Sequence, residues 1–421
     1  LEVQLEKAIL VGCGSNLERA QLLSSLEELS KLAETANAEV VGESIQYRDR
    51  LDASSVIGKG KVEELVRLAE EKEADLIIFD RELSPSQVQY LEQRFPCKVI
   101  DRTQLILDIF AKHAQTKEGR LQVELAQLEY MLPRLVGLGS SLSRLGAGIG
   151  TRGPGETKLE TDRRHIRRRI KECKKQLEEV ERHRQLLSRQ RKKSETPQIA
   201  LVGYTNAGKS TLLNRLTEAD VLAEDRLFAT LDPTTRYLEL PSKRHVYLTD
   251  TVGFIRHLPH SIVAAFRSTL TQTKEADLLL HVVDASDPEV NEQILAVEQV
   301  LEELGASHIP ILTVFNKSDL LEQELWEEKQ PNSIHISAFS DEDLIRLRDR
   351  IDLTLPSGQI NGKAVIPLSK GEFLAEFYRF AQVNQSKTND DEHILWFTTE
   401  LRKWSQMPQE LKDYVVEKTE D

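Results

Sequence analysis

The stretch Gly203-Tyr204-Thr205-Asn206-Ala207-Gly208-Lys209-Ser210 joins an apolar run, Ile199–Gly203, to a helical pattern, Thr211–Leu216. No other feature of the chain restricts its folding so much. A strand that turns through glycines into a helix leaves several backbone N–H groups pointing at one spot, and the helix N-terminus favours negative charge there. This is the phosphate-binding loop in the strand–loop–helix setting it needs. It demands α/β architecture around it. Lys209 then stands to neutralise β- and γ-phosphate charge, and the Ser210 hydroxyl to ligate Mg²⁺.

Further motifs name the nucleotide. Asp250-Thr251-Val252-Gly253 ends the strand pattern His245–Asp250. Asp250 suits the Mg²⁺ shell, and Gly253 offers its N–H to a γ-phosphate. Asn316-Lys317-Ser318-Asp319 follows the apolar run Ile311–Phe315. A carboxylate at Asp319 accepts from guanine N1–H and the 2-amino group. Adenine lacks that amino group and presents a lone pair at N1, so it leaves buried polar groups unpaired and is rejected strongly. Asn316 supports the loop and approaches the base, and Lys317 covers its face. Ser337-Ala338, after the strand pattern Ile334–Ser337, supplies a backbone N–H to guanine O6. The ligand is therefore read as GTP or GDP with Mg²⁺. Thr211, Thr251, Val252 and Ser318 complete these contacts, together with the segment Phe228-Ala229-Thr230-Leu231-Asp232.

Phe254 follows Gly253, where many GTPases place a Gln that orients the attacking water. Phenylalanine cannot do that, so intrinsic hydrolysis is expected to be slow or to use another device. Asn206 has two readings. It braces the loop, or it serves a bound K⁺ that stabilises transition-state charge. Lys209, Gly253 and Asn206 are catalytic candidates on these grounds. Thr230, Thr234 and Thr235 are all within reach of the metal in principle.

The whole chain of 421 residues, 39% hydrophobic, is too long for one core and should hold two to four domains. Over residues 1–115, strand patterns (Ala8–Val11, Val40–Ile45, Leu76–Asp80, Val99–Asp101) alternate with helical ones (Leu17–Ala36, Val62–Lys72, Ser86–Phe95, Arg102–Ala114). That alternation predicts a parallel α/β domain. Gly12-Cys13-Gly14 lacks the third glycine of a dinucleotide turn, because Leu17 stands there. Gly58–Lys61 is a candidate phosphate contact, to RNA or to a second nucleotide such as ATP, against the plainer reading of a helix-start loop.

Residues 116–195 read as an antiparallel helical hairpin. Leu121, Leu125, Leu128, Leu132 and Leu135 make one helical stripe; Ile166, Ile170, Cys173, Leu177 and Val180 make another. Between them, residues 137–155 hold seven of the chain's twenty glycines. Residues 158–193 carry 15 Lys/Arg against 6 Asp/Glu, a net of +9 inside a chain of net −13. An acidic average excludes a uniformly basic nucleic-acid binder but hides this patch. Arg144, Arg152, Lys158, Arg163, Arg164, Arg167 and Arg168 are the candidate RNA contacts. Residues 196–357 are assigned to the nucleotide domain, Ser357–Lys363 to a polar linker, and 362–421 to a small α+β domain ending in a frayed acidic helix.

Three dispersed cysteines exclude a disulfide scaffold, and no apolar run approaches a membrane span. A cytoplasmic monomer is expected.

The chain resembles the HflX family of GTPases, of the Obg–HflX group within the translation-factor class. The resemblance runs from about residue 40 to 340. It is carried by the nucleotide motifs and by Gly58–Glu64, Phe79–Gln87, Val99–Thr103, Gln122–Leu128 and Gly148–Glu160. Obg-like GTPases have a similar Phe-x-Thr-Leu segment, which selects Thr230 as the switch threonine, a metal ligand with Ser210 and Asp250 and a fourth catalytic candidate. The family implies binding to the large ribosomal subunit and its rRNA, and action on stalled or idle ribosomes by splitting them into subunits under stress. Two alternatives compete: a signalling switch read by protein partners, and ATP-dependent RNA remodelling through the N-terminal domain.

Overall fold

The computed structural model describes residues 5–143, 154–192, 196–217, 227–228, 233–256, 273–321, 332–355, 359–389, 391–400, 404 and 407–420. The chain divides into two compact units, Leu1–Arg348 and Asp349–Asp421.

The first unit opens with β1 (Glu6–Gly14), α1 (Arg19–Thr35), β2 (Ala38–Tyr47), α2 (Lys59–Lys72), β3 (Leu76–Phe79), α3 (Pro85–Glu92), β4 (Lys98–Asp101) and α4 (Arg102–His113). The strands form a parallel sheet in the order β2-β1-β3-β4. Side chains alternate across it, as a strand's period of two requires. Ala8 and Leu10 face α1 and α4, whereas Ile9 and Val11 face α2 and α3. Helix α3 starts at Pro85, behind the cap residue Ser84. The Ser84 hydroxyl accepts from Gln87 N–H while the Gln87 side chain accepts from Ser84 N–H, a reciprocal cap. Gly12 and Gly14 lie within β1 itself, and a Cβ on Gly12 would stand 2.8 Å from Leu26 Cδ1. Close helix packing accounts for that glycine.

Helices α5 (Lys117–Ser143) and α6 (Pro154–Lys192) form the hairpin. Leu121, Leu125 and Cys173 make its buried seam, with Leu128, Ile170 and Leu177 beside them. Arg169 grips both Glu124 oxygens at 2.6 and 2.8 Å across the two helices. Helix α5 also has a second buried face that the leucine stripe does not reveal. Val123, Ala126 and Tyr130 enter the core of the N-terminal sheet. There the buried Asp101 carboxylate accepts from Leu83 N–H (2.9 Å), Gln104 N–H (2.9 Å), the Tyr130 hydroxyl (2.8 Å) and Arg134 (3.0 Å). One carboxylate thus caps α4 and fastens α5 to the sheet, with its charge fully met by donors.

The nucleotide region contains β5 (Gln198–Gly203), α7 (Lys209–Thr217), β6 (Thr234–Glu239), β7 (His245–Asp250), β8 (Leu278–Asp284), α8 (Val290–Glu303), β9 (Ile311–Asn316), β10 (Ser333–His335) and α9 (Asp341–Thr354). Its sheet runs β10-β9-β8-β5-β7-β6, parallel except for the β6–β7 pair.

The second unit has β11 (Gln359–Pro367), α10 (Gly371–Phe380), β12 (Gln382–Thr388), β13 (Glu392–Glu400), α11 (Gln409–Lys412) and β14 (Val415–Glu420). They make an antiparallel sheet, β12-β13-β11-β14. Two readings of the sequence are corrected here. Gln359–Lys363 is strand rather than linker, and the acidic end is strand β14 rather than a frayed helix. Strand β12 was also missed. Both β12 and β14 are edge strands with most of their side chains in solvent, so neither carries the alternation that reveals a half-buried strand.

Phe377 and Phe397 anchor this second core edge to face at 4.9 Å. Phe377→Ala should cost about 3–5 kcal/mol. The check is the urea midpoint read by Trp396 and Trp404 fluorescence, and an unchanged midpoint would place the core elsewhere.

Candidate nucleotide-binding site

The phosphate loop, Asp250, Asn316 and Ser337 all stand at the carboxyl ends of strands, where α/β sheets bind ligands. Two glycines are fixed by their surroundings. At φ 151°, a Cβ on Gly203 would lie 2.1 Å from Val282 O; at φ 94°, one on Gly208 would lie 2.3 Å from Asn316 Nδ2. Asn206 takes φ 61°, a left-handed conformation that Asn accepts more readily than most side chains.

Lys209 is buried, and its Nζ donates to the carbonyls of Gly203 (3.1 Å) and Tyr204 (2.6 Å). Burial pushes its ammonium down to about 8, with the Asp250 carboxylate opposing the shift. Ser210 Oγ donates to Asp250 Oδ2 at 2.6 Å. A hydroxyl and a buried carboxylate oxygen side by side are hard donors of the kind a divalent cation takes. Gly253 lies against the loop, where a Cβ would meet Thr205 Cγ2 at 2.8 Å and Lys209 Nζ at 3.0 Å. Thr251 Oγ1 donates to Leu201 O at 2.7 Å, and Val252 is buried.

On the base side, Asn316 joins two loops. Its Nδ2 donates to Ala207 O at 2.9 Å and its Oδ1 accepts from Ala338 N–H at 3.0 Å. Lys317 is held by Asp284 at 2.7 Å, an anchor that the motif alone does not disclose. Ser318 is buried and Asp319 is exposed at the site. Ser337 N–H donates to Asp343 Oδ2 at 2.9 Å, and Arg215 grips Ala338 O at 3.2 Å.

The chain matches three family models in succession. They are described as "GTP-binding GTPase N-terminal" over residues 23–111, "GTP-binding GTPase Middle Region" over 113–191 and "50S ribosome-binding GTPase" over 198–317. It is 54% identical over 371 residues to a GTPase HflX of Alkalihalophilus pseudofirmus, covering 88% of each chain. It belongs to the HflX family. To GTPase HflX of Escherichia coli K12 it is 44% identical over 375 residues, again covering 88% of each. A solved GTP-binding protein of Sulfolobus solfataricus in complex with GDP aligns with 83% of this chain and 99% of its own, at 27% identity and a TM-score of 0.44. This HflX-family chain is a GTP-binding, GTP-hydrolysing enzyme.

Several sequence candidates lie outside the described residues: Ala229, Thr230, Leu231 and Asp232, with Arg144 and Arg152. Phe228 is described. It is buried, takes φ 59° and meets the Phe110 ring edge on at 4.7 Å. A bulky residue at positive φ is strained, and here the N-terminal core holds it. Phe254 is buried among Ala200, Val202, Leu279 and Val297, so its ring belongs to the core of the nucleotide domain. The sequence reading did not identify the residues that frame the loop: Glu28 and Arg102 from the N-terminal domain and, beyond Phe254, Arg256. The available signal was Tyr204, a large side chain at a loop position used for its backbone.

In the free protein Lys209 loses its proton as pH rises through about 8, and phosphate binding favours the charged form. GDP affinity should therefore be level below that pH. Above it, affinity should fall by up to about tenfold per pH unit with proton uptake on binding. Calorimetry at pH 9 in buffers of different ionisation enthalpy checks this; binding without proton uptake would contradict it.

Proposed function

We propose that this GTPase binds the large ribosomal subunit through its helical hairpin, uses GTP to set its affinity, and separates stalled or idle ribosomes into subunits. The observation that carries the reading is a basic stripe on α6. Arg164, Arg167, Lys171 and Lys175 are exposed and recur at spacings of three and four, so they share one helix face. Arg168 is exposed beside them, whereas Arg163 is partly covered and pairs with Glu160 at 3.5 Å. An elongated basic face suits contact with rRNA phosphates. The description of the matched family as a 50S ribosome-binding GTPase supports the same partner. The domain limits 1–115, 116–195, 196–357 and 362–421 are part of this proposal.

Within the site, Ser210 and Asp250 are proposed to hold Mg²⁺, with Thr230 as the switch ligand. The cation would supply charge neutralisation at the phosphates. Lys209 binds phosphate oxygens, Gly253 offers its N–H to the γ-phosphate, and Asp319 reads guanine. Asn206 keeps its two readings: it braces the loop in its left-handed backbone conformation, or it serves a bound K⁺. A phenylalanine at 254 makes intrinsic hydrolysis slow, and the ribosome is the proposed stimulator.

Arg164, Arg167, Lys171 and Lys175 changed together to Ala should leave GDP affinity intact. The change should flatten the log–log salt dependence of large-subunit binding by about 3, the loss of four phosphate contacts. Sedimentation with a non-hydrolysable GTP analogue measures it; an unchanged slope would remove the stripe from the interface. Asp319→Asn should shift preference from guanine to xanthine nucleotides, measured by competition binding. An unaltered guanine preference would place the base elsewhere.

A further inference from the structure

The segment after Gly253 is held from two directions. Towards the phosphate loop, Phe254 N–H donates to Gly203 O at 3.1 Å and Phe254 O accepts from Thr205 N–H at 2.8 Å. Two residues on, the backbone of Arg256 is engaged at both its polar groups. Its N–H donates to the Tyr204 hydroxyl at 2.8 Å, and its carbonyl accepts from Arg102 Nη2 at 3.3 Å. The Tyr204 hydroxyl in turn donates to Glu28 Oε2 at 2.9 Å. Burial, reinforced by the Glu28 carboxylate, pushes the Tyr204 phenol up, so it remains a donor.

Glu28 is itself fixed. Arg102, buried, pairs with Glu28 Oε1 at 2.9 Å and with Asp80 at 2.8 Å. The Arg256 side chain points the other way, to Glu289 at 3.2 Å and Glu292 at 2.7 Å, with Ser24 of α1 donating to Glu289. A residue of the phosphate loop therefore carries, on its side chain, one hydrogen bond to the N-terminal domain and one to the backbone beyond Gly253. A loop position that contacts phosphate through its backbone needs no phenol. Ala or Phe would satisfy the loop, and Phe would fill the same apolar surroundings of Ile106, Phe110 and Ile255.

We infer that Tyr204 is a positioning residue for GTP hydrolysis: its hydroxyl, seated by Glu28 and Arg102, fixes the backbone that carries Gly253. The inference rests on the proposed role of the Gly253 N–H at the γ-phosphate. Only GTP has that phosphate, so a loosened segment weakens GTP and leaves GDP alone. A donor aligned in advance also acts on the charge that develops during transfer, so hydrolysis slows as well.

The test uses the full chain. Tyr204→Phe keeps the ring and removes the hydroxyl. Affinity for a non-hydrolysable GTP analogue relative to GDP should fall about fivefold, the worth of one or two buried hydrogen bonds. GDP affinity should stay within about twofold, and single-turnover hydrolysis should slow by a similar factor. Glu28→Gln should move the same ratio in the same direction. The double variant should move the ratio by less than the sum of the two single changes, because Glu28 acts partly through the hydroxyl and partly through Arg102, which holds the Arg256 carbonyl. A merely structural Tyr204 would weaken both nucleotides equally. An unchanged or raised analogue-to-GDP ratio, or additive effects of the two changes, would overturn the inference. Gly253→Ala separates the two layers of argument. If it leaves the ratio unchanged, the assignment of Gly253 fails. If it lowers the ratio while Tyr204→Phe does not, only the positioning role fails.

Discussion

A guanidinium inside a protein has to be met by carboxylates, because taking it out of water costs several kcal/mol. Arg102 meets that requirement with Glu28 from α1 and Asp80 from the end of β3, and spends another N–H on the carbonyl of Arg256. Removing either carboxylate would leave charge uncompensated, so the three positions depend on one another. This dependence fixes where α1 and α4 stand against the nucleotide domain. The apolar surroundings follow: Tyr204, Leu227, Phe228, Val252 and Ile255 complete a core begun by Leu26, Ile106 and Phe110. The N-terminal sheet and the phosphate-loop side of the nucleotide domain therefore share one interior.

Much of this architecture was legible in the sequence, for identifiable reasons. β1, β3, β5 and β8 are buried strands with dense apolar runs, and helices α3 and α4 begin at residues that cap them. The phosphate loop was legible because glycine is the only residue that fits at 203 and 208, where neighbouring atoms leave no room for a Cβ. The edge strands β12 and β14 were not, because their exposed side chains follow no period. The second face of α5 was hidden by the stronger leucine stripe, and only contact with Asp101 distinguishes Tyr130 from an ordinary helix residue.

The site was legible to the same extent and with the same limit. Short motifs specify residues that touch a ligand. They say little about residues that touch those residues. Asp284, which holds Lys317, and Glu28, which holds Tyr204, lie 33 and 176 residues from their partners. No local pattern reports a bond of that reach. Phe254 shows a different limit. Its identity speaks against water orientation by this side chain, but its place in the core of the nucleotide domain became apparent only from the fold.

Asn316 has a consequence of another kind. Its amide spans from Ala207 in the phosphate loop to Ala338 beside the base site, and an amide group is planar and of fixed length. The two ends of the nucleotide pocket are thus set apart by a rigid spacer. A shift of the phosphate loop is therefore passed through this one amide to the loop of Ala338, so the two loops move as a single piece.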